Sequence, residues 1–209
     1  MADERIIVAA LGDSITAGSP RWDPDPDVRR AIGAALDERH QWPYWAARAD
    51  PRLEFRNHGV NREQTVQIAA RLEDAAEGAD VLIVQGGIND IVHGGQPEAA
   101  ARNIGAMVRR GRESGLRVAV AEVLPWNNGY PTAAEPIRRL NELIRRLAAD
   151  EASPVLPFFS TLEDPERPDR MREEWTDDGN HPSLEGHRRL GELAFRLPEA
   201  PAVEETRHL

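Results

Sequence analysis

Five short runs of apolar, largely β-branched residues, separated by segments with helical spacing, limit what this chain can fold into. They are IIVAAL at 6–11, LEFRN at 53–57, VLIVQ at 81–85, LRVAVAEVL at 116–124 and a weaker PVLPF at 154–158. Runs that are apolar along their length suit strands buried on both faces. Helical spacing is predicted around 29–38, 43–49, 62–76, 97–114 and 183–196. It is strongest in EPIRRLNELIRRLAAD, where Ile137, Leu140, Leu143, Ile144 and Leu147 keep to one face, with Thr132 and Glu135 as a capping-box signature ahead of them. Strands alternating with helices imply right-handed crossovers, and so a three-layer α/β/α sandwich around a mostly parallel sheet of about five strands.

The 209 residues suit one domain, expected to span 1–197, with PEAPAVEETRHL (198–209) as a C-terminal tail. All 26 basic residues are arginine and the formal charge is −10, which would repel a nucleic-acid backbone on average. No window reaches the roughly eighteen apolar residues of a membrane span. The N-terminus does not read as a signal peptide, so a cytoplasmic location is expected. Cysteine is absent, which excludes thiolate catalysis and disulfides. Asp23, Asp25 and Asp27 alternate as in a calcium loop, but Val28 and Ala34 stand where glycine and glutamate are needed. Residues 19–30 read instead as a proline-rich loop or lid. With no HExxH, GxGxxG or P-loop, neither a metal nor a cofactor is expected.

In an open parallel sheet the chemistry gathers at the carboxyl ends of the strands. There the chain places Gly12-Asp13-Ser14 after the first run, NHGVN with Gly59 after the second and GGIND with Asn89 after the third; DDGNHPS, with Asp178 and His181, precedes the last helix. Taken alone, Gly-Asp-Ser is also an ordinary helix start, since both Asp and Ser cap helices.

The four blocks together, in this order, resemble the SGNH, or GDSL-type, esterase and lipase superfamily. The resemblance runs from Gly12 to His181 and implies a flavodoxin-like SGNH hydrolase fold. It implies Ser14 as nucleophile, His181 as general base and Asp178, rather than Asp177, as the carboxylate that orients the base. It further implies an oxyanion hole from the backbone N–H of Ser14 and Gly59 and the side chain of Asn89. His58 and His93 flank these blocks without a carboxylate at comparable spacing. Trp126, Asn127, Asn128, Tyr130 and Trp175 are expected at the rim as substrate-binding residues. The expected function is a serine ester hydrolase acting on small-molecule esters with short, acetyl-type acyl groups. An acyl-CoA thioesterase or lysophospholipase is the nearest alternative, and a noncatalytic carbohydrate-binding α/β domain is the alternative of another class. Neither acyl length nor oligomeric state is written in the sequence.

Overall fold

In the computed structural model, which describes residues 5–33 and 36–199, the five apolar runs pair into one sheet. Its strands are β1 (Ile6–Gly12), β2 (Leu53–Gly59), β3 (Val81–Val84), β4 (Arg117–Ala121) and β5 (Val155–Leu156). They lie in the order β2-β1-β3-β4-β5, and every neighbouring pair is parallel. Ten α-helical segments are described: α1 (Ser14–Ala17), α2 (Pro26–Ile32), α3 (Trp42–Ala49), α4 (Thr65–Ala70), α5 (Leu72–Ala76), α6 (Ile88–Val92), α7 (Pro97–Glu113), α8 (Ala134–Asp150), α9 (Phe158–Leu162) and α10 (Leu184–Arg189).

The strands' two-residue period divides the interior in two. Ala9, Leu11, Leu82, Val84, Val118 and Val120 face one core, which is closed by Ile104 and Met107 of α7 and by Ile137, Leu140 and Ile144 of α8. Val8, Ala10, Val81, Ile83, Ala119 and Ala121 face the other. That second core is built on fully buried Trp42, whose ring lies 5.5–5.8 Å from those of Phe55, Phe158 and Phe195. Each large aliphatic side chain sealed in these layers contributes about 1.5–3 kcal/mol. The predicted three-layer α/β/α architecture is therefore present, and its central sheet is wholly parallel.

Several local expectations are corrected. The capping box at Thr132 and Glu135 does not form: α8 starts after Ala133 with no side-chain cap, and the turn is closed by backbone bonds from Ala133 N to Gly129 O (2.8 Å) and from Ala134 N to Pro131 O (3.1 Å). The helix expected at 29–38 is displaced to Pro26–Ile32, because Asp25 caps it through Asp27 N (2.7 Å) and Gly33 ends it. The proline-spaced aspartates thus serve turns and a helix start: Asp23 Oδ1 accepts from Asp25 N (2.9 Å). The helix expected at 62–76 divides at Arg71, and that at 183–196 continues past α10 as a π-helical turn over Leu190–Ala194. An antiparallel pair, β6 (Glu163–Asp164) and β7 (Arg167–Met171), follows α9. No helix of the described residues is long and apolar enough to cross a membrane. From residue 200 onward, the expected tail lies outside the described residues.

In this strand order the connections from β1 and from β3 leave in opposite directions, which opens a crevice between their carboxyl ends. Ser14 follows β1 and Asn89 follows β3, so the two flank it.

Candidate active site

Ser14 is the first residue of α1, directly after the Asp13 cap, whose Oδ1 accepts from Ile15 N at 3.0 Å. A first-turn N–H has no acceptor within its own helix, so the Ser14 N–H is left for a ligand. Gly12 has no space for a side chain: a Cβ there would lie 2.4 Å from Thr16 Oγ1 and 2.6 Å from Gln85 Oε1. Those two atoms are themselves bonded at 2.9 Å, and Gln85 Oε1 also accepts from Asp13 N at 3.2 Å. The Ser14 turn is in this way tied to the end of β3.

Across the crevice, Ser14 Oγ lies 3.2 Å from His181 Nε2, and His181 Nδ1 lies 2.8 Å from Asp178 Oδ2. Asp178 Oδ1 accepts from the backbone N–H of both Asn180 and His181 at 2.8 Å. Partial burial works to raise the Asp178 pKa, but the hydrogen bonds from the His181 ring and from these two N–H groups outweigh it. The carboxyl is held below its ordinary range. Asp177 turns away from this ring; its Oδ2 is 3.6 Å from His40 Nε2 and 3.7 Å from Arg21 Nε.

Asn89 lines the same cleft as Ser14 and His181, and its Nδ2 donates to Glu63 O at 2.9 Å. An amide NH₂ carries two donor hydrogens, so one remains. Glu63 is held in turn by Arg71, whose guanidinium also donates to His58 O (2.8 Å) and Gly12 O (3.2 Å). Arg71 thereby joins the ends of β1 and β2 to the loop that steadies Asn89, a role the sequence analysis missed.

Gly59 is not brought to the cleft. Its N–H donates to Asn57 Oδ1 at 2.9 Å, and a Cβ on it would lie 2.1 Å from Ala17 N and 2.5 Å from Ala17 Cα. Glycine is needed there for close passage of β2 against α1, backbone against backbone. The loop residues that do reach the cleft are Asn61 and Arg62. Gly59→Ala is therefore expected to destabilise the fold by about 1–3 kcal/mol or more, as an overpacked site does. A lowered urea midpoint checks this; unchanged stability with lost activity would restore an oxyanion role.

Of the five expected rim residues, Trp126 alone lines the cleft, its indole N–H donating to Asn180 Oδ1. Asn127 is clamped to Met171 through both backbone groups (2.9 and 2.7 Å), and Asn128 Nδ2 donates to Asp178 O at 2.8 Å. These amides brace the loop that carries Asp178 and His181. Tyr130 lies under Arg170, and Trp175 is flanked by Arg172 and Arg189. Of the flanking histidines, His93 lines the cleft, with Nδ1 2.7 Å from Asn89 O, and His58 does not.

Asp13 is fully buried and its Oδ2 has no hydrogen-bond partner. Burial, opposed by the bonds from Ile15 N and Gln85, pushes its pKa up to about 6. A raised carboxyl pKa means that the native state holds the proton more tightly than the unfolded chain, so stability is lost as pH rises from the unfolded value of 3.8 to about 6. At 1.36 kcal/mol per unit the loss is about 3 kcal/mol. Asp13→Asn should lack this loss, so the stability of the variant relative to the parent should climb by that order between pH 4 and pH 7 in urea melts. Parallel pH profiles would contradict it.

The cleft, about 420 Å³, is walled on one side by Val123, Leu124, Pro125 and Trp126 from the loop after β4. The chain matches the model of the GDSL-like lipase/acylhydrolase family over residues 10–189. Among solved structures it is similar to a protein assigned to the lipolytic G-D-S-L family from Desulfitobacterium hafniense (24% identity, 90% of this chain and 97% of that one, TM-score 0.73). It is also similar to a member of the lipolytic protein G-D-S-L family from Veillonella parvula (17% identity, 89% and 94%, TM-score 0.73). A third is AlinE4, an SGNH-hydrolase family esterase (21% identity, 86% and 90%, TM-score 0.60). These likenesses establish the SGNH-hydrolase fold. No curated protein matches the chain.

Proposed function

This chain belongs to the GDSL-like lipase/acylhydrolase family, and from that premise we propose that it hydrolyses carboxylic esters of short acyl groups through an acyl-enzyme on Ser14. The observation that carries the proposal is the unbroken contact from Ser14 Oγ through His181 to Asp178, with Asn89 lining the same cleft. A serine hydroxyl needs a base at hydrogen-bond distance and a third group to orient that base. His181 Nε2 takes the proton as Ser14 Oγ attacks the ester carbonyl carbon, while Asp178 keeps the other ring proton on Nδ1. The developing oxyanion accepts from the Ser14 N–H and from the second Asn89 Nδ2 hydrogen. As the C–O bond breaks, His181 returns its proton to the leaving alkoxide. Water then attacks the acyl-enzyme with His181 again as base, which releases the acid and restores Ser14. A cleft of about 420 Å³ lies at the small end of ligand sites, which supports a short acyl group.

A fluorophosphonate should add one label per folded chain, confined to Ser14 by peptide mapping. No label, as a noncatalytic binding domain would give, or a label on another serine, overturns the proposal. Rates on an acetyl ester, an acyl-CoA and a lysophospholipid separate the enzymatic alternatives.

A further inference from the structure

The mechanism above leaves the most strongly charged group in the cleft unused. Fifteen residues line the cleft, and among them Arg62 is the one permanently charged side chain; none is Asp or Glu. Arg62 is exposed, at a left-handed φ of 67°, and no described carboxylate pairs with it. The next residue in the chain, Glu63, is engaged with Arg71 at 2.6 Å, and Asp90, on the segment after β3, with Thr65 N and Oγ1 at 2.9 and 2.7 Å. In a chain of net charge −10, an arginine in the same cleft as Ser14, with no described carboxylate paired to it, suits an anionic group on the substrate.

Topology says where that anion lies. Arg62 comes from the loop after β2 and the apolar wall Val123–Trp126 from the loop after β4, so they bound the β1/β3 crevice from opposite ends. Asn89 lies between and fixes the Arg62 side, since the carbonyl to which it donates belongs to Glu63, the next residue. His93 lies on the same stretch. Its Nδ1 proton goes to Asn89 O at 2.7 Å, which leaves Nε2 as a second polar group of the cleft.

Resting on the ester-hydrolase reading, we infer that the natural substrate carries its anion, a carboxylate or a phosphate, on the alcohol portion. Arg62 binds that anion while the acyl group sits against Val123–Trp126. Arg62 is a specificity residue in this account, and the chemistry at Ser14 runs without it.

The test uses acetyl esters of three phenols of similar size, bearing a para carboxamide, carboxylate or phosphate, on the full chain and on Arg62→Gln. Arg62→Gly, at ease at positive φ, guards against a loop that fails to form. The expected result is a fall of about tenfold or more in the anionic-to-neutral ratio of kcat/KM in both variants, mainly through KM. In the parent, that ratio should shrink as salt rises. Whether carboxylate or phosphate is favoured identifies the anion. An unchanged ratio in both variants overturns the assignment while leaving the hydrolase reading in place. No turnover of any of the three esters, with Ser14 unlabelled by fluorophosphonate, overturns the hydrolase reading and this inference with it.

Discussion

With Ser14 replaced by alanine, turnover of a chromogenic acetyl ester should fall by about 10⁴- to 10⁶-fold, to what the remaining donors and binding contacts supply. The same assay separates the two neighbouring aspartates. Asp178→Asn should cost about 10⁴-fold in kcat, because an amide can donate to His181 Nδ1 and so stabilise the wrong tautomer. It also leaves the Asn180 and His181 N–H groups facing a weaker acceptor. Asp177→Asn should cost no more than about tenfold, since its carboxylate faces Arg21 and His40 rather than the base. Equal losses for both aspartates would refute this division of roles.

Asn89→Ala should lower kcat by about 10²- to 10³-fold with little change in KM, which corresponds to about 3–4 kcal/mol of lost oxyanion stabilisation. The side chain also donates to Glu63 O, so part of the loss could come from a loosened loop. Arg71→Gln separates the two causes. It frees Glu63 and the ends of β1 and β2 while leaving the Asn89 donor in place. Should Arg71→Gln reproduce the full Asn89 loss, Asn89 acts by holding the loop and not by touching the oxyanion.

The parts of this molecule that are legible in the sequence are those where one physical demand decides the residue. β1 and β3 are continuous apolar runs because both faces are buried, and α8 shows its buried stripe at Ile137, Leu140 and Ile144. The order of the four polar blocks follows from the sheet, and the family they resemble is the one found. Legibility fails where one residue type answers to two demands. A glycine at a strand end serves approach to a ligand or approach to another backbone, and only packing reveals that Gly59 meets Ala17. Amides such as Asn127 and Asn128 suit a substrate or a main chain, and here both are spent on the main chain. The β6–β7 pair is invisible because its residues, EDPERPDRM, are polar and carry two prolines. β5 shrinks to two residues because Pro154 and Pro157 bracket it. Arg62 gives no sequence signal, since its meaning lies in the carboxylates its neighbours have already taken.

Ser14 and His181 stand 167 positions apart and meet through one hydrogen bond, whereas all five strands of the sheet lie before residue 157. During synthesis all five strands are therefore translated before His181, the base of the proposed mechanism. On the proposed mechanism Ser14 lacks its base until the His181 loop is made, so the sheet is encoded ahead of the contact that would activate the serine.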